Sequence, residues 1–270
     1  MEAEMAQEKW LVDGPKTIDI ESAGSLKVGL IGGQIDIVAH DEPGVRVEVH
    51  SVTGKPLKVS IDGDTVEIDH PQLSWDNWID VFKSWTGRAK ADVSVMVPRD
   101  MKVKLGVVSA SALLSGTTGD ASLSTVSGEV VVDGVSGDLS LNSVSGELTV
   151  RNHTGKIDAH SVSGDVTAAG TLHRFAGDSV SGAIMLDTAG IPDEIRANTV
   201  SGEITVRLES DTPASYTLNS VGGRLQVGDT AITGVKGRIT GKWGELDKTW
   251  TDLRVNSVGG DINVLRQVRV

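Results

Sequence analysis

A glycine recurs every nine residues, from Gly119 through Gly128, Gly137, Gly146 and Gly155 to Gly164, without a slip. No other feature narrows the fold so far, because self-similarity at a short fixed period marks a stacked repeat architecture. Every second glycine sits in a fuller motif: Thr125-Val126-Ser127-Gly128-Glu129, Ser143-Val144-Ser145-Gly146-Glu147 and Ser161-Val162-Ser163-Gly164-Asp165. Further copies follow at Ser179-Val180-Ser181-Gly182, Thr199-Val200-Ser201-Gly202-Glu203, Ser220-Val221-Gly222-Gly223 and Ser257-Val258-Gly259-Gly260-Asp261. The period is therefore eighteen, in two halves of nine, and it loosens towards the C-terminus.

Each motif runs into an alternating apolar and polar stretch, the signature of a strand. In Val144-Ser145-Gly146-Glu147-Leu148-Thr149-Val150, positions 144, 148 and 150 share one parity with the glycine, which predicts that these apolar side chains point inward. An odd half-period breaks the register once per half-repeat, and the corner just before each Val is the expected place. Four of the seven full motifs carry Asn there: Asn142, Asn198, Asn219 and Asn256. Asn tolerates left-handed backbone and bonds its own main chain, so a stacked ladder of bent Asn corners is expected. One coil cannot bury its apolar face alone; stacking at ~4.8 Å per coil does so. The chain is thus expected to be all-β, a β-solenoid of single-stranded β-helix type with coils of about eighteen residues. Its repeat region should cover 106–270.

Composition agrees. Gly numbers 32 and aromatics are 3%, so small and β-branched residues must fill the interior. The net charge of -12, with no clustered Lys/Arg stripe, argues against nucleic acid. With no cysteine, disulfides, thiol nucleophiles and thiolate metal sites are excluded. The first ten residues hold no apolar signal segment, and no apolar run is long enough to span a bilayer, so a cytoplasmic protein is expected.

The N-terminal third reads as a tail over 1–15 and an irregular β region over 16–105 that caps the stack. Leu57-Lys58-Val59-Ser60-Ile61 and Val66-Glu67-Ile68 flank a turn at Gly63-Asp64, predicting a hairpin that pairs Ile61 with Val66. Leu30-Ile31-Gly32-Gly33 resembles a degenerate copy of the later motif. From Ser74 to Gly87, Trp75, Trp78, Ile79, Phe82 and Trp85 fall at helical spacing, predicting one short amphipathic helix near 75–86. Its aromatic face either caps the solenoid or docks a protein partner or the membrane interface; these five residues form the candidate interaction surface.

The residues supply no catalytic set. The V-S-G serine recurs, whereas a nucleophile needs one serine beside a positioned base. The histidines at 40, 50, 70, 153, 160 and 173 lack ligand spacing, and no P-loop occurs. Calcium-binding nonapeptide repeats need leading glycines where this chain has Val and Ser. No metal or cofactor is expected.

The entering strand Asp92-Val93-Ser94-Val95-Met96-Val97-Pro98, followed by serial [ST]-V-S-G-[DE] units, resembles the bacterial β-strand-repeat family catalogued as domain of unknown function 4097. Its members are labelled candidate adhesins, and the style resembles actinobacterial ones. The resemblance implies a repetitive β fold without known catalysis, in which some relatives act in cell-envelope stress. The expected function is a non-enzymatic scaffold or protein-interaction module. The alternatives are an exported adhesin-like surface protein and a self-associating solenoid filament.

Overall fold

In the computed structural model, residues 8–70, 89–228, 230–232 and 237–267 are described. The helix expected near 75–86, with Trp75, Trp78, Ile79, Phe82 and Trp85, lies outside them. The described residues are all-β, with no helix. They fall into two compact units, Met1–Val131 and Val132–Val270.

In the first unit the inner coil is Ser25–Leu30 followed by Gly33–His40. Ser25–Leu30 lies between Thr65–Asp69 and Lys102–Val107, both parallel, and Lys102–Val107 continues to Ala121–Thr125. Gly33–His40 lies between Lys90–Pro98 and Ser111–Ser115, again parallel. Stacking order thus departs from chain order. On the outer side the ladders turn antiparallel, through Leu57–Asp62 and Lys9–Val12 on one and Val45–Thr53 and Lys16–Ile20 on the other. The strand Lys9–Val12 falls within the segment expected to be a tail. Ile61 pairs with Val66 across Gly63-Asp64, as the sequence predicts. Asp64 also accepts a hydrogen bond from the Gly24 amide through Oδ1 (2.8 Å), tying the hairpin to the inner coil.

His70, at the end of Thr65–Asp69, is 1% exposed, and its Nδ1 accepts the Ile31 amide at 3.4 Å while Nε2 finds no partner among the described residues. Burial pushes this imidazole down to about 4. The unfolded chain takes up the proton near the ordinary 6.5, the folded one only near 4. Stability from neutral His70 is therefore complete above 6.5 and drains away as pH falls towards 4, reaching about 2 kcal/mol lost at pH 5. Urea midpoints at pH 7 and pH 5 should converge in His70→Leu relative to wild type; an unchanged difference would refute this account.

In the second unit the eighteen-residue offset holds between its first coils and widens to twenty at the next. Leu139 pairs with Ile157 and Leu141 with Ala159 between Ser136–Ser143 and Leu148–Ser161. The next coil puts Phe175 on Ile157 and Gly177 on Ala159, then Ile195 and Ala197. Phe175 is fully buried because Gly177 leaves it room; a Cβ there would come within 2.7 Å of its ring. The second ladder stacks Leu148, Val166, Ile184 and Ile204. Each such side chain is almost wholly buried, worth ~1.5–3 kcal/mol apiece.

The stack then leaves sequence order again. Thr251–Ser257 inserts between Glu194–Thr199 and Ala214–Ser220, and Ile262–Gln267 inserts between Ile204–Glu209 and Leu225–Val227. Beyond them, Gly237–Trp243 pairs antiparallel with Ala214–Ser220 and Thr230–Ile232 with Leu225–Val227. The Tyr216 ring covers Gly241 across this last ladder, and it meets Trp243 at 5.1 Å between centroids. The Arg266 guanidinium lies 5.1 Å from the Trp243 ring, so an aromatic lid closes the end of the core.

Candidate functional site: an apolar ridge on the coil corner

The motif glycines stack directly on one another. A Cβ on Gly164 would lie 1.9 Å from the Gly146 carbonyl oxygen, on Gly182 2.1 Å from that of Gly164, and on Gly202 2.1 Å from that of Gly182. The order continues Gly202, Gly260, Gly223, with 1.8 Å and 2.0 Å at the same point, and Gly128 meets Ala110 at 1.8 Å. Close approach, not an unusual φ, requires glycine here. The Ala110 contact marks a further coil, Val108-Ser109-Ala110, in which Ala stands at the glycine position and hides the motif from sequence pattern alone.

The corner is the Val-Ser-Gly segment itself, not the residue before it. Ser143, Ser161 and Ser179 point inward, and each hydroxyl donates to the carbonyl three residues on: Gly146 (2.5 Å), Gly164 (2.5 Å) and Gly182 (2.8 Å). At Thr199 and Ser257 the hydroxyl instead accepts the amide of Gly202 (2.9 Å) or Gly260 (2.8 Å). With that bond made, burial of the hydroxyl costs little. The V-S-G serines face outward and tie coils together. Ser181 donates to the Val162 carbonyl (3.2 Å) and Ser201 to that of Val180 (3.3 Å).

From Ser143 onward an inward Ser or Thr goes with an outward valine, whereas Val126, after the inward Thr125, stays buried. Val144 was expected inward with Leu148 and Val150; it is 40% exposed, and Val162, Val180, Val200, Val258 and Val221 are exposed as well, up to 61% at Val221. Backbone bonds fix their order: Ser163 N to Val144 O, Ser181 N to Val162 O, Ser201 N to Val180 O, Gly259 N to Val200 O and Gly222 N to Val258 O. Six valines therefore form one continuous apolar ridge at ~4.8 Å per step.

The Asn positions do form a ladder, but within strands and without left-handed backbone; Asn152 is the one non-glycine with positive φ among the described residues. Its register runs Asn142, His160, Asp178, Asn198, Asn256, Asn219. Asn198 donates to Asp178 (2.7 Å), Asn256 to Asn198 (2.7 Å) and Asn219 to Asn256 (2.5 Å). His160 stands between Asp158 (3.2 Å) and Asp178 (3.3 Å). Further out on this face, Lys156 meets Asp138 (3.2 Å), Arg174 meets Glu194 (3.1 Å) and Arg254 meets Asp252 (2.5 Å). On the other flank of the ridge, Asp165 accepts the Ala183 amide (2.8 Å) and Asp261 the Arg224 amide (2.8 Å). One flank is thus bonded within itself and the other carries carboxylates that accept backbone amides, with the exposed valines between them.

Among the described residues no group of His, Asp and Glu side chains converges as a metal site. His153 is buried, and burial holds it below the usual imidazole range against an opposing pull from backbone groups at Lys156, Val135 and Gly137. In the first unit a groove is lined by Ser22, His40, Asp41, Pro43 and Arg99. Within it Arg99 Nε donates to Asp41 at 2.5 Å, and that contact holds the Asp41 carboxyl below the usual range, while Glu42 and Asp100 add further acid to the lining.

Parallel ladders at an eighteen-residue offset, glycine-stacked corners and repeated outward columns define a β-solenoid-like strand-repeat protein. The chain belongs to the Toastrack DUF4097 family, whose model matches residues 23–265. A solved structure of a candidate lipid binding protein from Parabacteroides distasonis shares the fold at 14% identity and a TM-score of 0.55, covering 98% of each chain. A candidate adhesin from the same organism matches at 13% identity and a TM-score of 0.46, over 96% of this chain and 98% of that one. Another from Bacteroides fragilis matches at 14% and 0.45, over 97% and 98%. None of the curated proteins compared matches the chain.

Proposed function

We propose that this chain is a non-enzymatic scaffold or protein-interaction module, cytoplasmic and linked to cell-envelope stress, and that the valine ridge is its contact surface. One observation carries the reading: the Asp178–Asn198–Asn256–Asn219 column bonds within itself, while six valines beside it stay exposed in a row. Exposed apolar surface of this continuity is where a soluble protein meets something else. The repeated serines, by contrast, spend hydroxyls on backbone carbonyls, Ser181 on Val162 and Ser201 on Val180, in a structural role that recurs coil after coil.

The test is affinity purification from native cells, soluble and membrane fractions separately, with wild type and a Val162→Ser/Val180→Ser/Val200→Ser variant. These side chains are exposed, so the variant should melt within a few degrees of wild type. The expected result is a retained partner whose recovery falls at least about tenfold with the variant. Equal recovery by both proteins would remove the ridge from the function, and recovery at the cell surface from a longer precursor would favour an adhesin instead.

A further inference from the structure

We propose that the ridge receives a cationic amphipathic helix. The inference rests on the ridge being a contact surface and adds what covers it.

Length and period come first. Six rungs at ~4.8 Å span ~24 Å from Val144 to Val221. An α-helix returns an apolar side chain to one face every turn, ~5.4 Å, through positions i, i+3, i+4 and i+7, so about sixteen residues would cover the ridge. An extended strand repeats a face every ~6.6 Å and drifts out of step sooner.

Charge selects the helix. The six corner segments are 142–147, 160–165, 178–183, 198–203, 256–261 and 219–224. Together they carry five carboxylates, Glu147, Asp165, Asp178, Glu203 and Asp261, against a single guanidinium, Arg224, and no lysine. Arg224 itself lies 3.5 Å from Asp261. His160 is the remaining titratable group, held between two aspartates. A second copy docking through the same ridge would set these carboxylates against their own kind, and an anionic lipid surface meets the same repulsion. A helix with an apolar stripe bordered by Lys and Arg satisfies both the valines and the flanking acids.

A synthetic eighteen-residue helix with Leu at i, i+3, i+4 and i+7 and Lys on both borders is titrated into the intact chain by fluorescence anisotropy, beside a twin in which every Lys is Glu. The Lys peptide is expected to bind, and its affinity should fall as salt rises from about 50 to about 300 mM. The Glu twin should bind at least about tenfold more weakly to the unchanged protein, a comparison that involves no folding risk. Val162→Ser/Val180→Ser/Val200→Ser should weaken the Lys peptide at least about tenfold, and so should Glu147→Lys/Glu203→Lys, which leaves the valines in place. Three results would overturn the proposal: equal binding of the two peptides, indifference of the Lys peptide to the valine triple, or a wild-type dimer that the triple dissolves. If no peptide binds while the triple still loses its native partner, the contact surface stands and its helical, cationic occupant falls. If the Lys peptide ignores the triple and native recovery is unchanged, both readings fall together.

Discussion

Gly182→Ala should destabilise the second unit by about 3 kcal/mol or more, and Gly259→Ser should leave it within about 0.5 kcal/mol of wild type. Both change a glycine in a corner motif, and composition alone would treat them alike. The difference is where the new atom goes. At Gly182 a Cβ lands 2.1 Å from the Gly164 carbonyl oxygen and 2.7 Å from its carbon, both of them backbone of the coil it stacks on. Relief requires the two coils to part, which breaks the ladder on either side. At Gly259 the nearest atom to a Cβ is the Val200 oxygen at 3.6 Å, an ordinary contact. A serine there stands where Ser201 stands one coil away, whose hydroxyl donates to Val180 O. Urea unfolding followed by circular dichroism reads both. A Gly182→Ala midpoint equal to wild type would show that the coils are not held at the spacing described.

Ending the chain after residue 250 is the second large perturbation. In a stack that follows chain order, that change would trim one terminal rung. Here 251–267 supplies the strands between Glu194–Thr199 and Ala214–Ser220, and between Ile204–Glu209 and Leu225–Val227. Leu253, Val255, Ile262 and Val264 are fully buried in that position. Their loss withdraws about 6–12 kcal/mol of apolar burial and strands the coil 214–227 with its antiparallel cover. Limited proteolysis should therefore digest 214–227 rapidly in the shortened chain and spare it in the full one. An unchanged cleavage map would mean that Ala214–Ser220 docks straight onto Glu194–Thr199, and the inserted coil would be dispensable.

That ambiguity explains part of what sequence could and could not convey. The eighteen-residue offset, the strand character and the hairpin at Gly63-Asp64 were legible because each depends on local pattern. Stacking order was not, since Ser220-Val221-Gly222-Gly223 and Ser257-Val258-Gly259-Gly260 present nearly identical edges to Thr199-Val200-Ser201-Gly202. The ridge was misread for a different reason. Alternation assigns serine outward and valine inward, yet Ser161 can be buried once its hydroxyl reaches the Gly164 carbonyl (2.5 Å), and the tight corner then turns Val162 out. The signal was present in the pairing of a Ser or Thr with a Gly three residues later. The Asn ladder was legible as a stack, but its members in the middle, His160 and Asp178, share no residue type with it and follow only from register. The lid of Tyr216, Trp243 and Arg266 was not legible, because the chain's single tyrosine meets Gly241 only through the antiparallel register of a strand three further along.

The glycine stack has a consequence for how such a chain can change its size. Every corner between Gly146 and Gly202 presents the same upper and lower surface, a carbonyl beneath and an empty Cβ position above. A segment cut or copied between two equivalent glycines therefore rejoins at a junction the fold already contains. Unequal recombination within the gene would lengthen or shorten the protein in whole coils, each adding one valine to the ridge and one rung to its polar borders. Ridge length is then a heritable quantity adjusted in discrete steps, and grip on a partner can be tuned without inventing any new contact.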